Sequence, residues 1–167
     1  MTPDFYSLEI TGGEPLLHSE YIRDFLSKYP YKAMLETNAT LPEDIKNLVD
    51  VINIVSMDIK LPEHFNSVKE WEKCYEKELE STKIMESYNQ EYYIKIVVSP
   101  TTPSTIIDKI MNNLKGIVSE KTEIIIQPVS PMELWTTKDN LFKISEIVGR
   151  KYSVSIIPQI HKYLNVE

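Results

Sequence analysis

Two adjacent glycines followed by a carboxylate and a proline, Gly12-Gly13-Glu14-Pro15, are the residues of this 167-residue chain best placed to do chemistry. Glycine lacks Cβ, so paired glycines let the main chain approach a ligand closely and adopt φ values other residues avoid. Glu14 supplies a charged acceptor suited to an ammonium group. Pro15 fixes its own φ and biases Glu14 toward an extended conformation, which aims the acid. From average residue usage this four-residue string arises by chance in roughly one chain of this size in a few hundred.

Further polar side chains recur at intervals along the chain. They are Glu36-Thr37-Asn38, then Ser56, Asp58 and Lys60 at alternate positions, then Lys95 with Ser99, then Gln127, and finally Gln159, His161 and Lys162. A strand would turn Ser56, Asp58 and Lys60 to one face. There Asp58 and Lys60 either pair with each other or face a ribose and a carboxylate. Glu36 either caps the helix that follows or accepts from ribose hydroxyls. Gln127 closes the apolar run Ile124-Ile125-Ile126, where an amide either reads an adenine edge or satisfies a neighbouring backbone group. His161 has a structural or solvent-exposed reading on residue logic alone.

These residues need elements to hold them. Phe5–Ile10 reads as a strand feeding the glycines, and Tyr21, Ile22, Phe25 and Leu26 follow at helical spacing with Ser19 as N-cap. Strands are predicted over 31–36, 51–58, 92–98, 122–127 and 152–157, rich in β-branched and aromatic residues. Helical patterns separate them over 41–48, 65–88, 103–115 and 137–148, the second with Trp71, Leu79, Ile84 and Met85 at helical intervals. Alternating strands and helices imply βαβ units and a parallel sheet, with right-handed crossovers placing every strand's carboxyl end on one rim. Such sheets bind ligands at that rim, where the polar residues fall. Without an internal repeat or linker, residues 1–167 read as a single domain.

Composition narrows the function. The net charge of −7 argues against nucleic-acid phosphates or an anionic membrane surface as the main partner. The sequence contains neither an apolar run of about 18 residues nor a signal peptide, which points to a cytoplasmic protein. Cys74 is the single cysteine, so an internal disulfide, a four-cysteine zinc site and a self-supplied iron–sulfur cluster are excluded. In its charged surroundings Cys74 reads as an inert thiol on a helix.

With Gly12-Gly13-Glu14-Pro15 after a strand, the chain resembles the radical S-adenosylmethionine superfamily. Thr11 to Leu16, Glu36-Thr37-Asn38, Ser56 to Lys60, Lys95 to Ser99, Gln127-Pro128-Val129-Ser130 and Pro158 to Lys162 are together similar, in order and spacing, to the 7-carboxy-7-deazaguanine synthases. The resemblance covers essentially the whole chain. It implies an α/β fold, a partial (βα) barrel of mostly parallel strands lacking its first βα unit, usually dimeric. It implies S-adenosylmethionine bound by Gly12, Gly13, Glu14, Pro15, Glu36, Thr37, Asn38, Ser56, Asp58, Lys60, Gln127 and Val129. A pterin-like substrate would meet Thr11, Gly13, Gln159, His161 and Lys162. The family reaction converts 6-carboxy-5,6,7,8-tetrahydropterin to 7-carboxy-7-deazaguanine, toward queuosine and archaeosine.

The family also uses a [4Fe–4S] cluster on three cysteines, and magnesium. Eleven residues precede Gly12 and none is cysteine, so the cluster and magnesium ligands of the family pattern are absent here. The expectation is a chain that does not catalyse the family reaction alone, as a truncated, split or decayed member. A split member would need a separate cluster-bearing chain. An uncovered strand edge would favour a homodimer. A glycyl-radical activating enzyme fragment and a non-catalytic nucleoside-binding module are the competing readings.

Overall fold

The computed structural model describes residues 6–163. Six strands alternate with helices: β1 (Leu8–Ile10), α1 (Ser19–Lys28), β2 (Ala33–Thr37), α2 (Pro42–Leu48), β3 (Ile54–Ile59), α3 (Val68–Ser87), β4 (Glu91–Val98), α4 (Ser104–Leu114), β5 (Glu123–Pro128), α5 (Asp139–Gly149), β6 (Ser153–Ile156) and α6 (Ile160–Tyr163). The strands pair in sequence order, β1-β2-β3-β4-β5-β6, and every pairing is parallel. Sequential parallel order with no reversal is the winding of a (βα) barrel, here open between β1 and β6. Among the described residues no helix is long and apolar enough to cross a membrane.

The registers sort the side chains. Parallel partners in register point to the same side, so Leu35, Val55, Tyr92, Ile94, Ile96, Ile124 and Ile126 face the helices, where all are buried. Their alternates Glu36, Ser56, Asp58, Tyr93, Lys95 and Gln127 face the concave side, and most are half-buried. The helices supply Ile22, Leu26, Ile45, Leu48, Ile107, Ile110, Ile144 and Val148 to the apolar layer. Truncating one of these fully buried aliphatic side chains to alanine costs about 2–5 kcal/mol.

Several boundaries differ from the sequence reading for local reasons. The first strand is only three residues long; Phe5 lies outside the described residues. Ser19 does not cap α1. A 3₁₀ turn, Pro15–His18, runs directly into that helix and is itself capped by Glu14, whose side chain accepts from Leu16 N. The Ser19 hydroxyl instead donates to Asp44 on α2 at 2.5 Å. The buried stripe of α3 is Trp71, Tyr75, Glu78, Ser81, Thr82 and Met85, with Leu79 and Ile84 at its margin.

Candidate functional site

The carboxyl ends of β1, β2 and β3 meet around a cavity of about 220 Å³ lined by Thr11, Gly12, Gly13, Glu14, Glu36, Thr37, Asn38, Asp58 and Lys60. Three stretches separate in sequence converge because adjacent parallel strands end at the same level. Gly12 adopts φ +136°, a conformation strained for any side chain, and nothing lies within 4 Å of where a Cβ on Gly12 or Gly13 would sit. The glycine main chain therefore faces open space and not packed protein.

Glu14 is held rigidly. One carboxylate oxygen accepts from Leu16 N (3.0 Å) and the Thr37 hydroxyl (2.6 Å), the other from Asn38 N (3.0 Å). Thr37 and Asn38 thus act by fixing Glu14, while Asn38 Oδ1 shapes its own turn by accepting from Thr40 N (3.0 Å) and Thr40 Oγ1 (2.7 Å). A carboxylate has about four acceptor positions. Three are occupied, leaving one for a ligand donor.

A band of charge crosses the concave face beneath. Glu36 takes the Thr11 hydroxyl on one oxygen (3.2 Å) and pairs with Lys95 through the other. It does not cap α2. The Lys95 contact holds the Glu36 carboxyl below its usual range against the opposing effect of burial. For Lys95 burial pulls the ammonium down, but Glu36 and Asp58 outweigh it and the net shift is upward. Asp58 and Lys60 do pair, at 2.5 Å through Asp58 Oδ2. Asp58 Oδ1 is buried with no partner. Native proteins rarely leave such an atom unsatisfied.

The remaining sequence candidates lie elsewhere. Ser56, 2% exposed, is covered by its neighbours on the concave face. Pro15 is buried beneath the glycine turn. Gln127 projects from β5 in register with Val97 and does not line the glycine cavity. Val129 has both backbone groups engaged, its N–H on Val98 O (2.9 Å) and its carbonyl on Trp135 Nε1 (3.1 Å). Gln159 and Lys162 line a separate cavity of about 480 Å³ with Ser130, Met132 and Glu133 at the β5–β6 end of the rim. The side chain of His161 lies outside the described residues.

Lys95, read from the sequence as a rim residue, acts through its pair with Glu36. Glu78, which supports the site from behind, was not readable, because α3 reads as a solvated charged helix. Only the 71, 75, 78, 82, 85 spacing of its buried stripe carries that signal. The donor set suits an amino acid head and a sugar, with Glu14 for an ammonium, Lys60 for a carboxylate and Asp58 for hydroxyls. It does not suit an iron–sulfur cluster, which needs several thiolates. Cys74 sits on α3 and donates to Glu78 at 3.5 Å; burial first, and then Glu78, push its thiol up to about 12. Among the described residues no three His, Cys, Asp or Glu side chains assemble as a metal-holding group.

No family model matches the chain. It is 33% identical over 179 residues to a 7-carboxy-7-deazaguanine synthase of Methanothermobacter thermautotrophicus, covering 99% of this chain and 72% of that one. It is 34% identical to a 7-carboxy-7-deazaguanine synthase of Methanocaldococcus jannaschii, covering 99% and 69%. A crystal structure of a domain of pyruvate-formate lyase-activating enzyme from Bacteroides vulgatus superimposes with a TM-score of 0.71. It is 17% identical and covers 92% of this chain and 99% of that one. At that identity the likeness speaks for the fold.

Proposed function

The chain belongs to the 7-carboxy-7-deazaguanine synthase family, and on that premise we propose that its rim cradles S-adenosylmethionine beside a pterin-like substrate. The observation that carries the reading is a cavity that sets Glu14, Asp58 and Lys60 around open glycine main chain. Asp58 accepts from the ribose hydroxyls. Glu14, with one acceptor position left, takes the methionine ammonium, and Lys60 takes its carboxylate. Thr11 and Gly13 face the substrate, as do Gln159 and Lys162 from the far end of the trough; His161 joins them on the family resemblance. Gln127 and Val129 border the adenine end.

When bound with a reduced cluster, S-adenosylmethionine supplies radical chemistry. This chain's own residues bind and orient. Three donors fix Glu14, the Lys95 pair fixes Glu36, and the apolar layer behind the strands keeps both at constant height. One cysteine cannot hold the cluster. We read residues 1–167 as a single incomplete radical S-adenosylmethionine domain, inactive alone in converting 6-carboxy-5,6,7,8-tetrahydropterin to 7-carboxy-7-deazaguanine for queuosine or archaeosine. Activity would need cluster ligands from outside these residues, a separate cluster-bearing chain being one source. Among the described residues β1 has a free edge, which supports a homodimer, and a cytoplasmic location follows from the reaction.

Calorimetric titration with S-adenosylmethionine and with the pterin tests the reading. Binding of both supports it, while silence for both favours a non-catalytic module. Anaerobic reconstitution with iron and sulfide followed by a 5′-deoxyadenosine assay tests inactivity, and turnover by the chain alone would overturn it.

A further inference from the structure

Helix α3 lies behind the rim and grips two of its loops through buried side chains. Ser81 donates to the Ala39 carbonyl after β2 at 2.7 Å. The peptide groups of Lys60 after β3 are caught from both sides, Trp71 Nε1 donating to Lys60 O at 2.9 Å and Glu78 Oε1 accepting from Lys60 N at 3.3 Å. Trp71 and Glu78 are seven residues apart, two turns along one face of α3, and their side chains converge on Lys60. Lys60 then projects its ammonium to Asp58 in the cavity.

Glutamate is a costly choice for that clamp. Glu78 is 0% exposed, and its Oε2 has no partner. A glutamine would accept the same N–H without a titratable group. What a carboxyl adds is a second state. Protonated, it is a neutral acceptor and Lys60 belongs to Asp58. Ionised, it is an enclosed anion, and an enclosed anion demands a counter-charge.

The groups around it decide which cation answers. On its own helix it faces Cys74, a neutral thiol, and the Trp71 and Tyr75 rings of the same helix stack on each other with centroids 5.4 Å apart. From β3 come Asp58 and Lys60. From the loop after β2 comes the neutral Ala39 carbonyl, held by Ser81. Lys109 of α4 is occupied over the Trp71 ring at 4.9 Å. The lysines of α3 itself, Lys69, Lys73, Lys77 and Lys83, are all exposed. Lys60 is the cation already tethered to Glu78 through its backbone.

We propose that Glu78 is a proton-dependent positioning residue that, when it ionises, draws Lys60 off Asp58 and so weakens the ligand site at the rim. Burial, reinforced by Asp58, pushes the Glu78 carboxyl up to about 8, which places the change within reach of ordinary buffers. The effect on ligand rests on the S-adenosylmethionine reading of the cavity, whereas the movement of Lys60 does not. The role is one of placement: Glu78 does not line the cavity.

The full chain, ligand-free and ¹⁵N-labelled, is titrated from pH 6 to 10 while the Lys60 amide and the Trp71 indole signals are followed. Trp135→Phe assigns the two indoles. The expected result is a shared inflection near pH 8 in wild type that is absent in Glu78→Gln, which keeps the acceptor but cannot ionise. S-adenosylmethionine affinity should then fall about tenfold from pH 6.5 to 9 in wild type, the worth of one charge-assisted contact, and stay level in the variant. Flat signals in wild type, or the same inflection in Glu78→Gln, would overturn the proposal; the wild-type titration alone suffices should the variant not fold. An inflection without S-adenosylmethionine binding at any pH would uphold the clamp and defeat the ligand reading instead.

Discussion

Glu78→Gln should change how stability depends on pH, and the size of the change follows from burial. In the unfolded chain this carboxyl titrates near its ordinary 4.5; in the fold, burial and then Asp58 raise it to about 8. Ionised Glu78 is therefore disfavoured in the native state by about 5 kcal/mol, a large share of the 5–15 kcal/mol that holds a typical domain together. The sign is as follows. Below pH 4.5 both states hold the proton and the group contributes nothing. As pH rises the unfolded chain ionises first while the native state keeps its proton until about 8, so stability falls across this interval and levels off above it. Between pH 5.5 and 8.5 the wild type should lose about 3 kcal/mol from this group. The other shifted groups act outside that window: Glu36 is lowered from 4.5, and Cys74 moves from 9.0 to about 12. Urea unfolding followed by tryptophan fluorescence at both pH values reads the loss as a drop in midpoint. Glu78→Gln should hold its midpoint and exceed the wild type at pH 8.5. Parallel pH profiles for the two proteins would refute the reasoning.

Three other perturbations probe the rim. Gly12→Ala forces a side chain to φ +136° and should cost about 1–3 kcal/mol by thermal unfolding. Gly13→Ala meets no atom and no positive φ, so its melting temperature should stay put while S-adenosylmethionine affinity drops. Glu14→Ala strips the acceptor from Leu16 N, Asn38 N and the Thr37 hydroxyl. It should destabilise by about 2–4 kcal/mol in a urea titration as well as abolish binding. Lys95→Met removes the first cause of the lowered Glu36 carboxyl. The stability present above pH 4.5 and lost as pH falls through that lowered value should vanish, shifting acid unfolding by circular dichroism to higher pH.

The sheet was readable in advance because its outward residues are so uniformly apolar. Ile94, Ile96, Ile124 and Ile126 left no other period to fit, and an all-parallel order follows from the intervening helices. The charged band was readable for the same reason inverted, since Glu36, Asp58 and Lys95 interrupt apolar strands at alternate positions. What the sequence hid was partnership across space. That Glu14 answers to Thr37 and Asn38, or that Glu36 answers to Lys95, depends on registers no linear spacing encodes. Ser19 misled because Glu14 already caps the preceding 3₁₀ turn, freeing the hydroxyl for Asp44. Glu78 misled because a helix with so many solvated acids conceals one that points inward. The distance between the glycine cavity and the Gln159–Lys162 cavity depends on how far the sheet curls, and strand lengths alone do not fix curl.

The period-two division of the strands separates two kinds of mutational history. Along β2, substitutions at Ala33 or Leu35 are filtered by whether the protein folds at all, while those at Met34 or Glu36 are filtered by what the trough can recognise. Neighbouring codons thus answer to different selective demands. A lineage can drift toward a new ligand one alternate residue at a time without its folding machinery registering the change.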